Sequence, residues 1–229
     1  MLYGTYKDWR DLHRNVTSHL HPESLSETAQ HNLVDGAAAL AFVHGEVPIP
    51  ANISEFPDNL FATPYFEGIT TIPLNTQKIL DMRKETSKQL QAAKITVDSK
   101  YHDYMLVVGK VTLETGIGNC GDLVAAAYKW LLDNGYTKSL EVITANYMRK
   151  NAYEWNNHAF LVMSRDRTGD PSDPSSYGND CVICDPWLDV CAYQLTYFTL
   201  ISKFRRYIES FQPIKASSPD STLKVVFNL

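Results

Sequence analysis

The second half of this chain is organised by one change of hydrophobic period. Leu123, Ala127, Trp130 and Leu131 recur at helical spacing and are stopped at Asn134-Gly135, where glycine tolerates the positive φ of a helix end. Three strand-like segments follow, at 140–145, 159–163 and 181–184. A helix that feeds a sheet in this way predicts an α+β fold. The expected architecture is a helical N-terminal part, then one helix packed on an antiparallel β-sheet.

The rest of the chain reads more coarsely. Residues 1–71 are rich in Pro, His and aromatic side chains. Leu12, Val16 and Leu20 suggest a short helix before His21-Pro22, and the Ala-rich run within 32–44 predicts a buried helix. Pro48, Pro50, Pro57 and Pro64 mark a loop-rich connection. A helix is expected over 75–94, with Ile79, Leu80, Met82, Leu90 and Ala93 on its apolar face. The run 104–113 fits either a strand or a buried helix, and 116–119 reads as a turn. Residues 166–179, full of Gly, Pro, Ser and Asp, predict a surface excursion, 197–208 a helix and 223–227 a last strand. Residues 1–100 are expected to form a mainly helical region with a role in substrate recognition, and 101–229 the catalytic core, an arrangement that also allows one single domain.

Composition narrows the function classes. The net charge of -5, without a dense Lys/Arg cluster, argues against nucleic acid, and Lys203-Phe204-Arg205-Arg206 reads as a solvated helix face. No apolar run approaches the length of about 18 residues that a membrane span needs. The start of the chain lacks the continuous apolar stretch of a signal peptide. Asn15-Val16-Thr17 and Asn52-Ile53-Ser54 therefore read as chance glycosylation patterns. Four cysteines suggest a reducing compartment. The expected location is the cytoplasm, or a host cytosol reached by secretion without a cleaved signal.

Three short motifs carry the chemistry. Cys120 follows Gly118-Asn119 where the helix begins. Free backbone N–H groups and the helix dipole at such a position favour thiolate and can also receive an oxyanion. Asn119 and Gly121 are the candidates for the site loop or oxyanion hole, and Gly118 and Gly121 keep bulk away from an approaching carbonyl. Asp122 suits the first turn, but it opposes thiolate formation if it points inward. His158 opens the apolar run 158–163, where it is placed to take the thiol proton. Asp185 ends the run 181–185, where a carboxylate can fix the imidazole tautomer. Trp187 would shield that bond, and Pro186 would set the chain direction.

Gly118-Asn119-Cys120-Gly121-Asp122, His158-Ala159-Phe160 and Asp185-Pro186-Trp187, in that order, resemble the papain-like/transglutaminase-like Cys-His-Asp superfamily. Within it the likeness is to small bacterial effector and toxin domains, which include deamidases, transglutaminases and proteases. The resemblance covers roughly 113–187 and does not reach the first 100 residues. Arylamine N-acetyltransferases share the residue order, but the Arg-Gly-Gly-type lead into the cysteine is absent here. The resemblance implies catalytic Cys120, His158 and Asp185, no cofactor and no metal, and a protein substrate, with a host protein among the candidates. It favours glutamine deamidation or transamidation. The alternatives are proteolysis by the same triad, or a binding module on this fold in which Cys120 is inert.

Each motif also has a plainer reading. A free cysteine is commonly a small buried hydrophobe, and an aspartate before proline commonly shapes a turn. Cys181, Cys184 and Cys191 read as core residues. Zinc is disfavoured because a spacing of three in a strand points Cys181 and Cys184 to opposite faces. His13, His19, His21, His31 and His44 show no ligand-like pairing, and His102 is a candidate for a supporting role. Residues 148–155, with Tyr147, Tyr153 and Trp155 nearby, read as a loop that either covers the cleft or packs at its base.

Overall fold

The computed structural model describes residues 25–47, 49–50, 76–96, 100–149, 155–170, 173–187, 189–194, 197, 208–212 and 224–227. The expected helix around Leu12 to Leu20, both glycosylation patterns and Lys203 to Arg206 lie outside them.

Among the described residues, four helices precede the main sheet. Helix α1 (Glu27–Glu46) is longer than the Ala-rich run because Ser26 caps it, its Oγ accepting the Ala29 N–H at 3.0 Å. A two-residue strand, β1 (Ile49–Pro50), follows. Helix α2 (Thr76–Ala93) matches the expected span, but its buried side is Met82 and Thr86, while Leu80 and Ala93 are exposed. The ambiguous run is helical. It forms most of α3 (Tyr101–Thr115), which ends at Gly116 with φ 64. Strand β2 (Ile117–Gly118) pairs parallel with β1, and α4 (Cys120–Asp133) starts one residue later. The packing of α3 on α4 explains Gly109: a Cβ there would stand 2.3 Å from the Ala125 carbonyl oxygen, so only glycine lets the helices approach this closely.

Four strands form an antiparallel sheet in the order β6-β5-β4-β3, namely Val190–Tyr193, Val182–Asp185, Trp155–Met163 and Leu140–Arg149. The free side of β3 takes β7 (Ile208–Gln212) antiparallel and β8 (Lys224–Phe227) parallel. The α+β expectation holds, with α4 packed against β4 and a parallel partner added at β8. Ile208 belongs to a strand, which corrects the end of the expected 197–208 helix. Met148 pairs with Trp155, so the two ends of the 148–155 segment are strand, and 150–154 lie outside the described residues.

One core joins these layers. It includes Ala39 and Val43 of α1, Leu123 to Tyr128 of α4, and Phe160 to Met163 of β4. Cys184 Sγ meets the Gly36 carbonyl oxygen at 3.5 Å, so that face of β5 lies under α1. Cys181 sits by the other face, beside Glu141 and Arg165. There the 166–179 excursion turns inward: Tyr177 is fully buried, with the Arg165 guanidinium 5.6 Å from its ring centre. Arg165 also pairs with buried Glu141 at 2.6 Å. This replaces the expectation that the whole excursion lies on the surface.

Candidate functional site

Cys120 occupies the first turn of α4 and is 8% exposed. The capping arrangement around it is specific. Asp122 reaches back to accept the Asn119 N–H at 3.0 Å, and the Leu123 N–H bonds to the Asn119 carbonyl. The two neighbouring glycines serve different ends. A Cβ on Gly118 would lie 2.7 Å from Asp122 Cβ, so that glycine accommodates the cap. A Cβ on Gly121 would meet nothing within 4 Å, so that side of the helix start is open. Gly118 is thus required by packing.

Arg83, from α2, answers the question posed by Asp122. Its Nη1 and Nη2 donate to Asp122 Oδ1 and Oδ2, each at 2.8 Å, and Nη2 lies 3.4 Å from Asn119 Oδ1. Burial raises the Asp122 pKa, while Arg83 and the Asn119 N–H act to lower it. The carboxylate is thereby turned into a cap and neutralised by a guanidinium. Asn119 has its side chain facing Arg83. The signal for Arg83 was indirect: an acid at a buried helix start needs a cation, and periodicity does not say which.

Asp185 is fully buried at the end of β5. Its Oδ1 accepts the Trp187 N–H at 3.1 Å, and its Oδ2 accepts the Tyr197 hydroxyl at 2.7 Å. The first bond is the turn contact that an Asp-Pro sequence predicts, and Trp187 is itself buried, 3% exposed. The second was not legible: nothing in the spacing from 185 to 197 announces it. Burial, then the Asp185 carboxylate, hold the Tyr197 pKa well above the ordinary phenol range, with smaller contributions from the thiols of Cys120 and Cys184. Tyr197 is therefore bonded to the end of β5 and within electrostatic reach of the start of α4. Its ring also packs on Phe160 at 5.1 Å.

His158 lies in β4 opposite Ala145 of β3. The β4–β5 register pairs Leu161 with Cys184, and one further step brings position 160 level with Asp185. Position 158 shares the parity of position 160, two residues along the strand.

His44, one of the histidines without ligand-like pairing in the sequence, stands at the Asp185-Pro186 turn. Its Nε2 donates to the Pro186 carbonyl oxygen at 2.7 Å, and its Nδ1 lies 3.1 Å from Asp189 Oδ1. It ties the last turn of α1 to the loop that carries Asp185. His102 contacts the Tyr128 hydroxyl at 2.7 Å, two turns along α4 and about 12 Å from its start. A surface cleft lined by His31, Asp35, Tyr136 and Lys138 lies beyond the other end of α4, about 20 Å from Cys120 along the helix. Among the described residues, no three His, Cys, Asp or Glu side chains converge as metal ligands would. No described helix is long and apolar enough to cross a membrane.

No protein-family model matches this chain, and no curated protein is significantly similar to it in sequence.

Proposed function

We propose that this chain is a cysteine-nucleophile acyl-transfer enzyme acting on an amide of a protein substrate. The favoured reaction is deamidation or transamidation of a glutamine side chain. The observation that carries the reading is the surroundings of Tyr197. This phenol holds the Asp185 carboxylate and has the Cys120 thiol among the groups around it. The start of α4 and the end of β5 are thus both within electrostatic reach of one phenol, which supports a Cys-His-Asp site. Position 158 has the parity that goes with Asp185 in the β4–β5 ladder.

In this reading Cys120 attacks the amide carbonyl and His158 accepts the thiol proton. The first-turn N–H groups of α4 stabilise the oxyanion, and His158 returns the proton to the departing amine. Asp185 orients the imidazole, and an ionised carboxylate that already accepts two hydrogen bonds retains acceptor positions for it. A thioester remains on Cys120. Water converts it to a carboxylate and regenerates the thiol, whereas a primary amine gives a new amide. Arg83 keeps Asp122 from acting as an unscreened anion beside the thiol.

The test is intact mass of a glutamine-bearing protein probe, incubated with the full chain or its Cys120→Ala variant, with and without a small primary amine. Deamidation adds about one dalton, transfer removes about seventeen and adds the amine, and proteolysis gives fragments. Any of these with wild type, and none with Cys120→Ala, supports the enzyme. A probe whose mass is unchanged by wild type and variant alike leaves a binding module as the better reading, and a mass change that survives Cys120→Ala overturns the role of Cys120.

A further inference from the structure

The described part of the chain brings two thiols together away from Cys120. Cys184 of β5 and Cys191 of β6 are directly opposite each other in the antiparallel ladder. The backbone pattern fixes the kind of pair. The Gln194 N–H bonds to the Cys181 carbonyl, and these two residues are opposite in the same register, so they form a hydrogen-bonded pair. Alternation then makes Cys184 and Cys191, three steps along, a non-hydrogen-bonded pair. Such pairs have their Cα atoms about 4.5 Å apart and their side chains closest, within the Cα range that a disulfide spans.

Side-chain positions agree with the register. Both sulfurs point toward α1, with Cys184 Sγ 3.5 Å from the Gly36 carbonyl oxygen and Cys191 Sγ 3.6 Å from that of Leu33. The point where Gly36 lacks a Cβ lies 2.6 Å from Cys191 Sγ and 3.6 Å from Cys184 Cβ. The Cys191 side chain also acts directly on the Cys184 thiol, raising its pKa. Gly36 is thus the residue that leaves room for the pair beneath α1. Cys181 is excluded as a partner because it sits by the opposite face, next to Glu141 and Arg165.

We propose that Cys184 and Cys191 are a reversible thiol-oxidation site that closes to a cross-strand disulfide, with a low-molecular-weight disulfide as oxidant. The two cysteines differ in access, which orders the steps: Cys184 is fully buried and Cys191 half-buried. The neighbouring Cys191 side chain and burial hold the Cys184 thiol well above its ordinary range, so the more accessible Cys191 reacts first. Its thiolate attacks one sulfur of the oxidant and releases one small thiol, leaving a mixed disulfide. Cys184, losing its proton, then attacks the Cys191 sulfur and releases the second small thiol. Two protein thiols and one small disulfide become one protein disulfide and two small thiols. Closure draws β5 toward β6 at the residue next to Asp185. The site stands whether or not Cys120 is a nucleophile.

The experiment exposes the native full chain to a series of oxidised-to-reduced glutathione ratios. Samples are quenched in acid, alkylated after denaturation and mapped by peptide mass. The expected result is a wild-type protein that loses two hydrogens, with Cys184 and Cys191 linked, Cys120 and Cys181 alkylated, and full reversal by reduced glutathione. Cys191→Ser should show no internal linkage, and Cys184→Ala should stop at a glutathione adduct on Cys191. Four alkylated thiols in wild type at every ratio would overturn the proposal. So would a glutathione adduct on wild-type Cys191 that never resolves, or linkage mapped to Cys120 or Cys181.

Discussion

At the scale of single residues, the start of α4 is an electrostatic compromise. Asp122 is buried, caps the helix through the Asn119 N–H and depends on Arg83 for its counter-charge. Removing the guanidinium by Arg83→Met leaves a buried carboxylate with a smaller set of partners. The expected loss at neutral pH is roughly 1–3 kcal/mol, toward the lower end because Arg83 itself is half exposed. The pH dependence has a definite sign. The folded-state pKa of Asp122 is raised by burial, so its contribution to stability is full below the unfolded value of about 3.9 and falls as pH rises through the folded value. Arg83 is one of the groups that lower it, so the variant should lose more stability than wild type as pH rises from acid toward neutral. Urea unfolding of both proteins across that range checks this, and a pH-independent difference would contradict it.

At the scale of elements, glycine content misleads unless packing is known. Gly109 lies inside α3, where replacement by alanine would ordinarily gain about 1 kcal/mol of helix propensity. Here the added methyl would meet the Ala125 carbonyl oxygen at 2.3 Å. Gly109→Ala should therefore destabilise the protein, by about 1–3 kcal/mol as overpacking does, and lower its thermal midpoint. A raised midpoint would mean that α3 and α4 do not cross at this point. The same contact shows why the 104–113 run was ambiguous. Apolar runs buried on several sides have no clear period, and only the partner helix decides them. Strand β4 was half legible for a related reason: 159–163 is apolar, whereas Trp155, Asn156 and Asn157 extend it through pairing with β3. Cys120 at a helix start and Asp185 at a strand end were readable because Gly, Asn and Pro punctuate them. Arg83, His44 and Tyr197 were not, because each reaches the site across a fold contact that leaves no local pattern.

At the scale of the whole molecule, α1 makes the N-terminal region and the sheet interdependent. Val43 and Ala39 belong to the same core as α4 and β4, and His44 clasps the Pro186 turn. That core also buries several phenols. Burial pushes the Tyr128 and Tyr136 pKa values up to about 12, and it holds that of Tyr197 well above the ordinary phenol range. An unfolded tyrosine titrates near about 10, so the protonated phenols stabilise the fold below that pH, and this contribution is lost as pH rises toward the folded values. In an alkaline titration, the last tyrosinate absorbance should therefore develop together with loss of helical circular dichroism. Complete tyrosinate formation near pH 11 with the helices intact would contradict the burial described.

The central claim is that Cys120 is an activated nucleophile partnered by His158. Its most direct test is the rate at which iodoacetamide modifies Cys120 in the native full chain at neutral pH, followed by mass spectrometry in wild type and His158→Ala. The expected result is rapid modification of wild-type Cys120, slowed on the order of tenfold or more in the variant, with buried Cys181 and Cys184 untouched in both. Equal, slow modification of Cys120 in the two proteins, with both folded by circular dichroism, would make it a structural thiol and contradict the account.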